Sequence, residues 1–357
     1  MLTKNILFFF SVTRMGGAET TFIEIIKNYK NKGHKCFAIA IEDNGSLNDF
    51  LTIMDVPLII LKVTDINFFR TLNLYRKFII ENKIDVVFNL GLKVELFSRL
   101  FSKFFGAKYI VSNIRSTDPW RKWYHTALDK LTLKNTNIWV ANSFAGSEAF
   151  NKREGIQKNK IKVIYNVSEK SISKIQKKGI ENEITIGILS NLKKGKGFKD
   201  LGVIVKKLND LDINTNLLIG GVDLLDGEIF DFYNQIGITN KINYLGYIKD
   251  KMSFFKSIDI FVLPSYWEGL PTSILESLKY GIPVVATNVG GIPEIMDGDL
   301  KNLLFFPGDI DQAVEKIQSL QDLEYYNKII DKGIEVIAAK FQNDELLNKW
   351  DKILDYD

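Results

Sequence analysis

Two glutamates that stand eight residues apart, Glu268 and Glu276, are the strongest candidates for chemistry in this chain. Pro271 and Thr272 lie between them, and a proline at such a place is typical of the first turn of a helix. The first N–H groups of a helix have no partner within it, and the helix dipole adds positive charge there. We therefore expect a helix over 272–280 that begins beside Glu268 and attracts an anion such as a diphosphate.

A short apolar segment and two glycines follow this predicted helix. Residues 282–286 predict a buried strand, and Gly290 and Gly291 would let the backbone approach a ligand without a side-chain clash. Glu276, about one turn inside the helix, would accept hydrogen bonds from hydroxyls near the phosphate. This order predicts a pocket for a sugar joined to a diphosphate. Each residue taken alone is equally compatible with a solvated glutamate or a plain turn.

Positive charge follows another predicted strand, over residues 184–189. The loop after it contains Asn191, Lys193 and Lys196. Ammonium groups beside a leaving diphosphate would stabilise its developing charge, so the reaction would need no metal ion. The alternative is a solubilising turn with no part in chemistry.

These segments together resemble the retaining glycosyltransferases of family 4, whose two-domain arrangement is called GT-B. The resemblance covers nearly the whole chain. It rests on Glu268-Gly269-Leu270-Pro271, Glu276, the segments 281–287 and 290–294, Gly16-Gly17-Ala18-Glu19 after a Phe-rich strand, and Asn191-Leu192-Lys193 with Lys196-Gly197.

Two positions depart from the family's pattern, and the two histidines of the chain remain to be assigned. Many relatives have a histidine after a strand of the first domain, where this chain has the segment 113–116, and Arg115 is a candidate replacement for its charge. Many also have arginine in place of Lys193, and a lysine offers a point charge without the bidentate fork. The two histidines are His34, expected to be structural, and His125, which is either an acceptor-binding or a packing residue.

The resemblance implies a role for each matching residue. Glu268 would hydrogen-bond hydroxyls of the donor sugar, and Glu276 would hold the ribose. Gly16 and Gly17 would close over the diphosphate or the edge of the acceptor, unless they form only a strand-to-helix turn. The expected catalytic residues are Glu268, Lys196, Lys193 and Arg115, and the expected donor-binding residues are Gly16, Gly17, Asn191, Gly269, Leu270, Pro271, Thr272 and Glu276.

The resemblance also implies the reaction. The acceptor hydroxyl would attack on the leaving-group side while a phosphate oxygen takes its proton, so no covalent carboxylate intermediate is expected. The donor would be a nucleotide-diphosphate sugar, with a UDP-sugar favoured over GDP-mannose, and no metal or other cofactor is expected. The acceptor would be a glycan or a lipid-linked oligosaccharide in surface polysaccharide synthesis. Two alternatives stay open: a nucleotide-sugar epimerase or hydrolase on the same fold, and a catalytically silent binding subunit of a transferase pair.

Composition excludes several other classes. The net charge of +4 is too balanced for a nucleic-acid binder. The single cysteine, Cys36, permits no intrachain disulfide and favours the cytoplasm. One cysteine and two histidines exclude a Cys/His zinc site, and the Asp-x-Asp strings at 210–212, 297–299 and 309–311 are interpreted as turns. No apolar run is long enough for a transmembrane helix, and no Gly-x-Gly-x-x-Gly motif follows the first strand.

A basic and aromatic stretch lies between Lys93 and Lys134. It holds nine Lys or Arg residues against three acids, and eight Phe, Trp or Tyr side chains lie among them. Such a composition suits an anionic membrane surface, with Arg121 and Lys122 as contact residues and the enzyme peripheral at the inner face of the cell membrane. The alternative is a solvated helix face with core aromatics.

Strand-like and helix-like segments alternate in both halves of the chain, which predicts parallel sheets covered by helices. We expect two facing Rossmann-like domains. An acceptor-binding domain would span 1–167 together with a C-terminal helix over 341–357, and a donor-binding domain would span 168–340, with a linker over 168–183. Strands are expected at 6–10, 36–41, 58–61, 86–89, 109–112, 138–141, 184–189, 216–219, 242–245, 258–263 and 282–286, and helices at 18–31, 68–82, 94–105, 144–154 and 198–208.

Overall fold

The computed structural model describes residues 3–62, 67–167, 175, 179–180 and 183–355. The chain divides into two compact units. Unit 1 comprises Met1–Val167 and Asp344–Asp357, and unit 2 comprises Ser168–Asn343. Most of the predicted linker over 168–183 lies outside the described residues.

Unit 1 is built on one sheet of seven parallel strands, in the order β3-β2-β1-β4-β5-β6-β7. The strands are β1 (Asn5–Val12), β2 (Lys35–Glu42), β3 (Leu58–Ile60), β4 (Val86–Leu90), β5 (Tyr109–Ile114), β6 (Ile138–Ala141) and β7 (Ile161–Val163). The helices are α1 (Gly17–Asn31), α2 (Leu47–Ile53), α3 (Phe68–Glu81), α4 (Leu92–Phe101), α5 (Trp123–Thr132), α6 (Phe144–Glu154) and, from the C-terminus, α14 (Asn343–Leu354).

Aromatic side chains fill both faces of this sheet. Phe8 stacks on Phe88 with ring centroids 5.2 Å apart, in the core shared with α1, α2 and α14. The next residue, Phe9, points to the other face and stacks on Tyr75 at 5.3 Å, beneath α3 and α4. Consecutive residues of β1 therefore enter two different cores, as expected for a parallel sheet covered on both faces.

The final helix packs into unit 1. Trp350 of α14 is fully buried in the core of this unit, and its carbonyl accepts a hydrogen bond of 2.7 Å from the hydroxyl of Tyr29 on α1. The predicted return of the C-terminal helix to the first domain is confirmed. The helix itself spans Asn343–Leu354, within the predicted range 341–357.

Unit 2 is built on a sheet of six parallel strands, in the order β10-β9-β8-β11-β12-β13. The strands are β8 (Ile184–Leu189), β9 (Thr215–Gly220), β10 (Ile242–Gly246), β11 (Ile260–Leu263), β12 (Val284–Thr287) and β13 (Leu304–Phe305). The helices are α7 (Phe198–Asp210), α8 (Glu228–Gln235), α9 (Lys251–Lys256), α10 (Thr272–Lys279), α11 (Ile292–Ile295), α12 (Ile310–Ser319) and α13 (Leu323–Lys340).

Both sheets have the strand order of a Rossmann fold. Counted within each unit, the first strand lies between the second and the fourth, and the order reverses at that point. Ligands of open α/β sheets bind outside the carboxyl ends of the strands at such a reversal. In unit 2 the reversal lies between β8 and β11, so the loops after these two strands are where a ligand is expected. The predicted α/β class with two Rossmann-like units is confirmed.

The structure adds α2, α5, α8, α9, α11, α12, α13, β7 and β13 to the elements with predicted ranges, and it shifts the bounds of several others. The helix expected over 94–105 is α4, which ends at Phe101, and the residues after it form turns. Among the described residues, no helix combines the length and the apolar character needed to cross a bilayer.

Candidate functional site

The loop after β8 carries Lys196 toward the loop after β11. Gly197 has a positive φ of 71°, and a Cβ at this position would lie 1.9 Å from the carbonyl oxygen of Pro264. Only glycine permits this backbone conformation together with such a close approach. The two loops that flank the reversal of strand order in unit 2 are therefore in direct contact.

Glu268 lies in the loop after β11 and is paired with Lys196. The ammonium of Lys196 donates a hydrogen bond of 2.5 Å to Oε1 of Glu268, and the hydroxyl of Ser265 donates to the same oxygen at 2.8 Å. Ser265 is held in turn by Thr287 at the end of β12, whose hydroxyl donates to the Ser265 carbonyl at 2.6 Å. The Glu268 side chain is nearly buried, whereas that of Lys196 is partly exposed.

The glycine pair after β12 packs on the backbone of Glu268. Gly290 has a φ of 54°, and a Cβ there would lie 2.2 Å from the Glu268 carbonyl oxygen. Gly291 N–H donates a hydrogen bond of 2.8 Å to the carbonyl of Gly269. Three loops, after β8, β11 and β12, thus converge on Glu268.

Helix α10 begins four residues after Glu268. It spans Thr272–Lys279, and Pro271 is its N-cap. The side chain of the N-cap residue makes no capping hydrogen bond, and the first turn holds no acid. The Leu270 side chain is buried and anchors the turn that leads into the helix. The positive end of the α10 dipole therefore lies next to the Lys196–Glu268 pair in sequence and in the same strand-end region.

Glu276, inside α10, is paired with a lysine that was not predicted. The ammonium of Lys251 donates a hydrogen bond of 2.6 Å to Oε1 of Glu276, and the Glu276 side chain is nearly buried. Lys251 is the first residue of α9, whose N-terminus is capped by Asp250. Each of the two predicted acids of this site therefore has its own lysine partner.

The two other predicted residues of the β8 loop have different surroundings. Asn191 accepts a hydrogen bond of 3.0 Å at Oδ1 from the N–H of Val222, so its side chain ties this loop to the one after β9. Lys193 is exposed, and its carbonyl accepts a hydrogen bond of 3.3 Å from the N–H of Lys196. The structure brings Lys196, Glu268 and the start of α10 together, while Asn191 supports the loop that carries Lys196.

The glycines predicted from the first loop lie in unit 1. Gly16 is the N-cap of α1, and Gly17 is its first residue. Glu19 lies in the first turn, and a Cβ at Gly16 would be 2.9 Å from its Oε2. A carboxylate of the chain itself therefore lies at the start of α1. The expected roles of these glycines, at the diphosphate, at the acceptor edge or only in a strand-to-helix turn, stay predictions.

The side chain of Arg115 packs inside unit 1. The guanidinium carbon lies 5.1 Å from the ring centroid of Phe22 and 5.8 Å from that of Trp350. Its Nη1 donates a hydrogen bond of 2.9 Å to Asn166. Burial lowers the pKa of Arg115 to about 10, so the group stays charged at neutral pH. Arg115 therefore contacts both α1 and α14, and its expected catalytic role stays a prediction.

Arg121 is also not the surface residue that the basic stretch suggested. Its guanidinium pairs with the carboxylates of Asp118 and Asp129, and the side chain is nearly buried. Arg99, from the same stretch, is fully buried. The exposed part of this stretch therefore consists of other residues.

Both histidines serve local structure. His34 is buried, and its Nδ1 accepts a hydrogen bond of 3.1 Å from the N–H of Lys4. Burial lowers the pKa of His34. His125 accepts a hydrogen bond of 3.0 Å at Nδ1 from the N–H of Lys122, at the start of α5.

Two of the Asp-x-Asp strings begin with helix caps, because Asp297 and Asp309 accept N–H groups of the turns that follow them.

Comparison with known proteins places this geometry in a family. The family model for glycosyl transferases group 1 matches residues 170–336, and the model for glycosyltransferase family 4 matches residues 15–167. A solved structure of HepE from Anabaena, in a complex with UDP and glucose, has a TM-score of 0.84 and 18% identity, and the match covers 98% of this chain and 99% of that one. The two Rossmann-like units are those of a GT-B glycosyltransferase fold.

Two curated relatives extend the comparison. The chain is 21% identical over 346 residues to the UDP-Gal:alpha-D-GlcNAc-diphosphoundecaprenol alpha-1,3-galactosyltransferase of Escherichia coli, which covers 88% of this chain and 86% of the relative. It is 26% identical over 198 residues to the capsular polysaccharide biosynthesis glycosyltransferase CapM of Staphylococcus aureus, which covers 54% of this chain and 50% of the relative. The chain belongs to the group 1 glycosyltransferases of family 4.

Proposed function

We propose that this enzyme transfers a sugar, with retention of configuration, from a UDP-sugar to a hydroxyl of a glycan or lipid-linked oligosaccharide in surface polysaccharide synthesis. The E. coli relative is named for a UDP-galactose donor and a diphosphoundecaprenol acceptor, and the S. aureus relative for capsular polysaccharide. The Anabaena structure contains UDP and glucose. These names support the choice of donor and of acceptor class.

The observation that carries the proposal is the Lys196–Glu268 pair at the carboxyl ends of β8 and β11. An ammonium group, a nearly buried carboxylate and the positive end of α10 are the groups that a sugar diphosphate needs. When the donor binds, the diphosphate would replace Glu268 as the ion-pair partner of Lys196, because a dianion attracts an ammonium more strongly than one carboxylate does. Glu268 would then accept hydrogen bonds from the sugar hydroxyls, and Glu276 from the ribose.

The reaction then needs one bond broken and one formed at the anomeric carbon. The bond from that carbon to the diphosphate oxygen breaks, and its electron pair stays on the diphosphate. The acceptor oxygen forms the new bond on the same face, and its proton moves to the leaving phosphate oxygen. Lys196 and the N–H groups at the start of α10 would stabilise the charge that develops on the diphosphate. This supply of positive charge is why we propose a reaction without a metal ion.

The acceptor is proposed to bind unit 1, and the enzyme to work on the cytoplasmic side of a membrane. The start of α1 carries the carboxylate of Glu19, which suits hydroxyl groups better than a second diphosphate. The donor groups named above all belong to unit 2.

The test is an assay of the purified protein with a panel of UDP- and GDP-sugars and a synthetic lipid-diphosphate GlcNAc acceptor, followed by mass spectrometry. We expect a glycosylated lipid product with a UDP-sugar, an α-anomeric proton by NMR, and unchanged turnover in EDTA. Donor consumption without transfer to any acceptor would identify a hydrolase or epimerase instead. Nucleotide binding without consumption of any donor would identify a silent binding subunit.

A further inference from the structure

Helix α5 of unit 1 has its polar residues inside and its apolar residues outside. Its buried residues are Asp129 and Thr132. Trp123 is 81% exposed and Leu131 is 73% exposed, and Leu128 between them is also exposed. A helix of a soluble domain normally turns its apolar face toward the core. The reversal shows that the outer face of α5 is not explained by the folding of unit 1.

The reason for the reversed helix is a buried ion-pair network beneath it. Arg99 of α4 donates hydrogen bonds to Asp129 at 2.6 Å and to Glu95 at 2.5 Å, and Arg121 pairs with Asp129 as well. The inner side of α5 is therefore occupied by charge, which leaves the apolar side chains of the helix on the surface.

The neighbouring helices add apolar surface to the same layer. Phe104, just after α4, is 84% exposed, and Phe69 at the start of α3 is 85% exposed. Phe69, Ile80 and Phe104 line one groove of about 450 Å³, together with Arg76. Isolated apolar residues on a surface are ordinary, but several exposed apolar side chains on neighbouring helices mark an interaction site.

The charges around these residues are almost all positive. In residues 67–137, all of which the structure describes, Glu81 is the one exposed acidic residue. The exposed basic side chains in the same range are Arg70, Arg76, Lys77, Lys83, Lys93, Lys103, Lys108, Lys122, Lys130 and Lys134. The other acids of this range are buried or partly buried, and several of them are held in the ion pairs described above.

We infer that the outer face of α3, α4 and α5 docks onto an anionic lipid membrane. We call it the α3–α5 face, with Phe69, Phe104, Trp123 and Leu131 as its apolar members and Lys122 and Lys130 among its basic ones. Apolar side chains enter the headgroup boundary while lysines pair with anionic lipids. A protein partner would bury such a surface equally well, but the excess of positive charge favours an anionic bilayer. The inference rests on the proposed function for one point only, namely that membrane docking brings the enzyme to a lipid-linked acceptor.

The test is co-sedimentation of the full chain with vesicles of equal parts phosphatidylglycerol and phosphatidylcholine, compared with vesicles of phosphatidylcholine alone. Neither vesicle contains an acceptor or a donor, so the result does not depend on the proposed reaction. We expect binding to the anionic vesicles, and loss of at least about ten-fold in the partition coefficient for a Trp123→Ser, Leu131→Ser variant and for a Lys122→Glu, Lys130→Glu variant.

Matched controls separate this face from the rest of the molecule. Lys349→Glu with Lys352→Glu reverses two exposed lysines of α14, on the other face of the same sheet. Phe306→Ser removes an exposed aromatic of unit 2. Both controls should sediment like wild type, and all variants should bind UDP like wild type. The inference is overturned if wild type does not bind anionic vesicles, if the controls lose as much binding as the α3–α5 variants, or if the wild type dimerises through this face and both α3–α5 variants are monomers.

Discussion

Each unit holds two ion pairs with nearly buried acids, and the pairs of the two units differ in residue type and in exposure. In unit 1, Arg99 lies between Glu95 and Asp129 with no exposed surface, and it stacks 4.2 Å above the ring of Trp139. In unit 2, Lys196 pairs with Glu268 and Lys251 with Glu276, and both lysines keep part of their surface in solvent.

This difference separates structural charge from exchangeable charge. A guanidinium fork with two buried acids and a ring beneath it satisfies its donors internally, so a ligand has no access to it. A lysine at a strand end, on a glycine-flanked loop, makes a point contact that a stronger anion can replace. We expect substitutions in the first cluster to change stability and those in the second to change binding and turnover.

The largest effect is expected for Arg99→Met. It leaves Glu95 and Asp129 buried without their shared partner, and breaking a buried pair in this way costs about 3–5 kcal/mol. Differential scanning calorimetry should show an earlier transition, while Arg76→Met on the exposed side of α3 should change stability by less than about 0.5 kcal/mol. Equal transitions for the two variants would mean that the buried network is not structural.

Lys196→Ala should give the largest loss of turnover. We expect a decrease of roughly 10²-fold or more at saturating donor, because charge on the leaving diphosphate loses its stabilising ammonium. The unfolding temperature should fall less than in Arg99→Met, because Lys196 is partly exposed and Ser265 still donates to Glu268. Lys194→Ala, an exposed neighbour on the same loop, is the control and should retain activity. Near-wild-type turnover of Lys196→Ala would remove its catalytic role.

Gly290→Ala should weaken donor binding through the backbone of Glu268. The new Cβ would lie 2.2 Å from the Glu268 carbonyl oxygen, so the loop has to shift. Gly298→Ala is a matched control, since its φ of 58° imposes the same backbone strain and no atom lies within 4 Å of its Cβ. Calorimetry should show UDP affinity about ten-fold lower for Gly290→Ala and unchanged for Gly298→Ala. Similar affinities for both would show that strain alone matters.

The smallest effect is expected for Lys251→Met. Glu276 loses the hydrogen bond that orients it, and we expect UDP affinity to fall about three- to five-fold, the size of a partly exposed ion pair. Glu276→Ala should also weaken nucleotide binding. The loss from Lys251→Met should disappear with a 2′,3′-dideoxy analogue of UDP, because Glu276 is proposed to hold the ribose hydroxyls. Lys256→Met on the same helix is the control, and a persistent loss with the analogue would contradict the role.

Sequence patterns predicted the sheets well and the interior charges poorly. Strand β8 and helix α6 have the expected bounds, since their apolar periodicity and flanking residues act locally. Helix α5 did not appear in the pattern because its buried residues are Asp129 and Thr132. An apolar face that points outward cannot be distinguished from a core face by spacing alone.

The site shows the same limit. Local signals identified Glu268, Glu276 and the start of α10, because proline, glycine and acid positions lie close together in sequence. Lys251 is 25 residues from Glu276, and a lysine at a helix start gives no sign of its partner. Arg115 follows a strand, as a ligand-binding residue often does, but Trp350 lies far along the chain, and only the packing of α14 shows that the two are in contact.

The most direct test compares the binding of UDP and of UMP by calorimetric titration of three proteins: wild type, Lys196→Ala and the double variant Lys196→Met, Glu268→Gln. The double variant removes the unpaired acid that Lys196→Ala leaves behind. The two nucleotides differ by the outer phosphate. If a residue holds this phosphate, its substitution lowers the affinity for UDP more than the affinity for UMP. We expect the preference of wild type for UDP over UMP to shrink at least about ten-fold in both variants, which corresponds to about 1.4 kcal/mol. An undiminished preference in both would contradict a diphosphate site at Lys196.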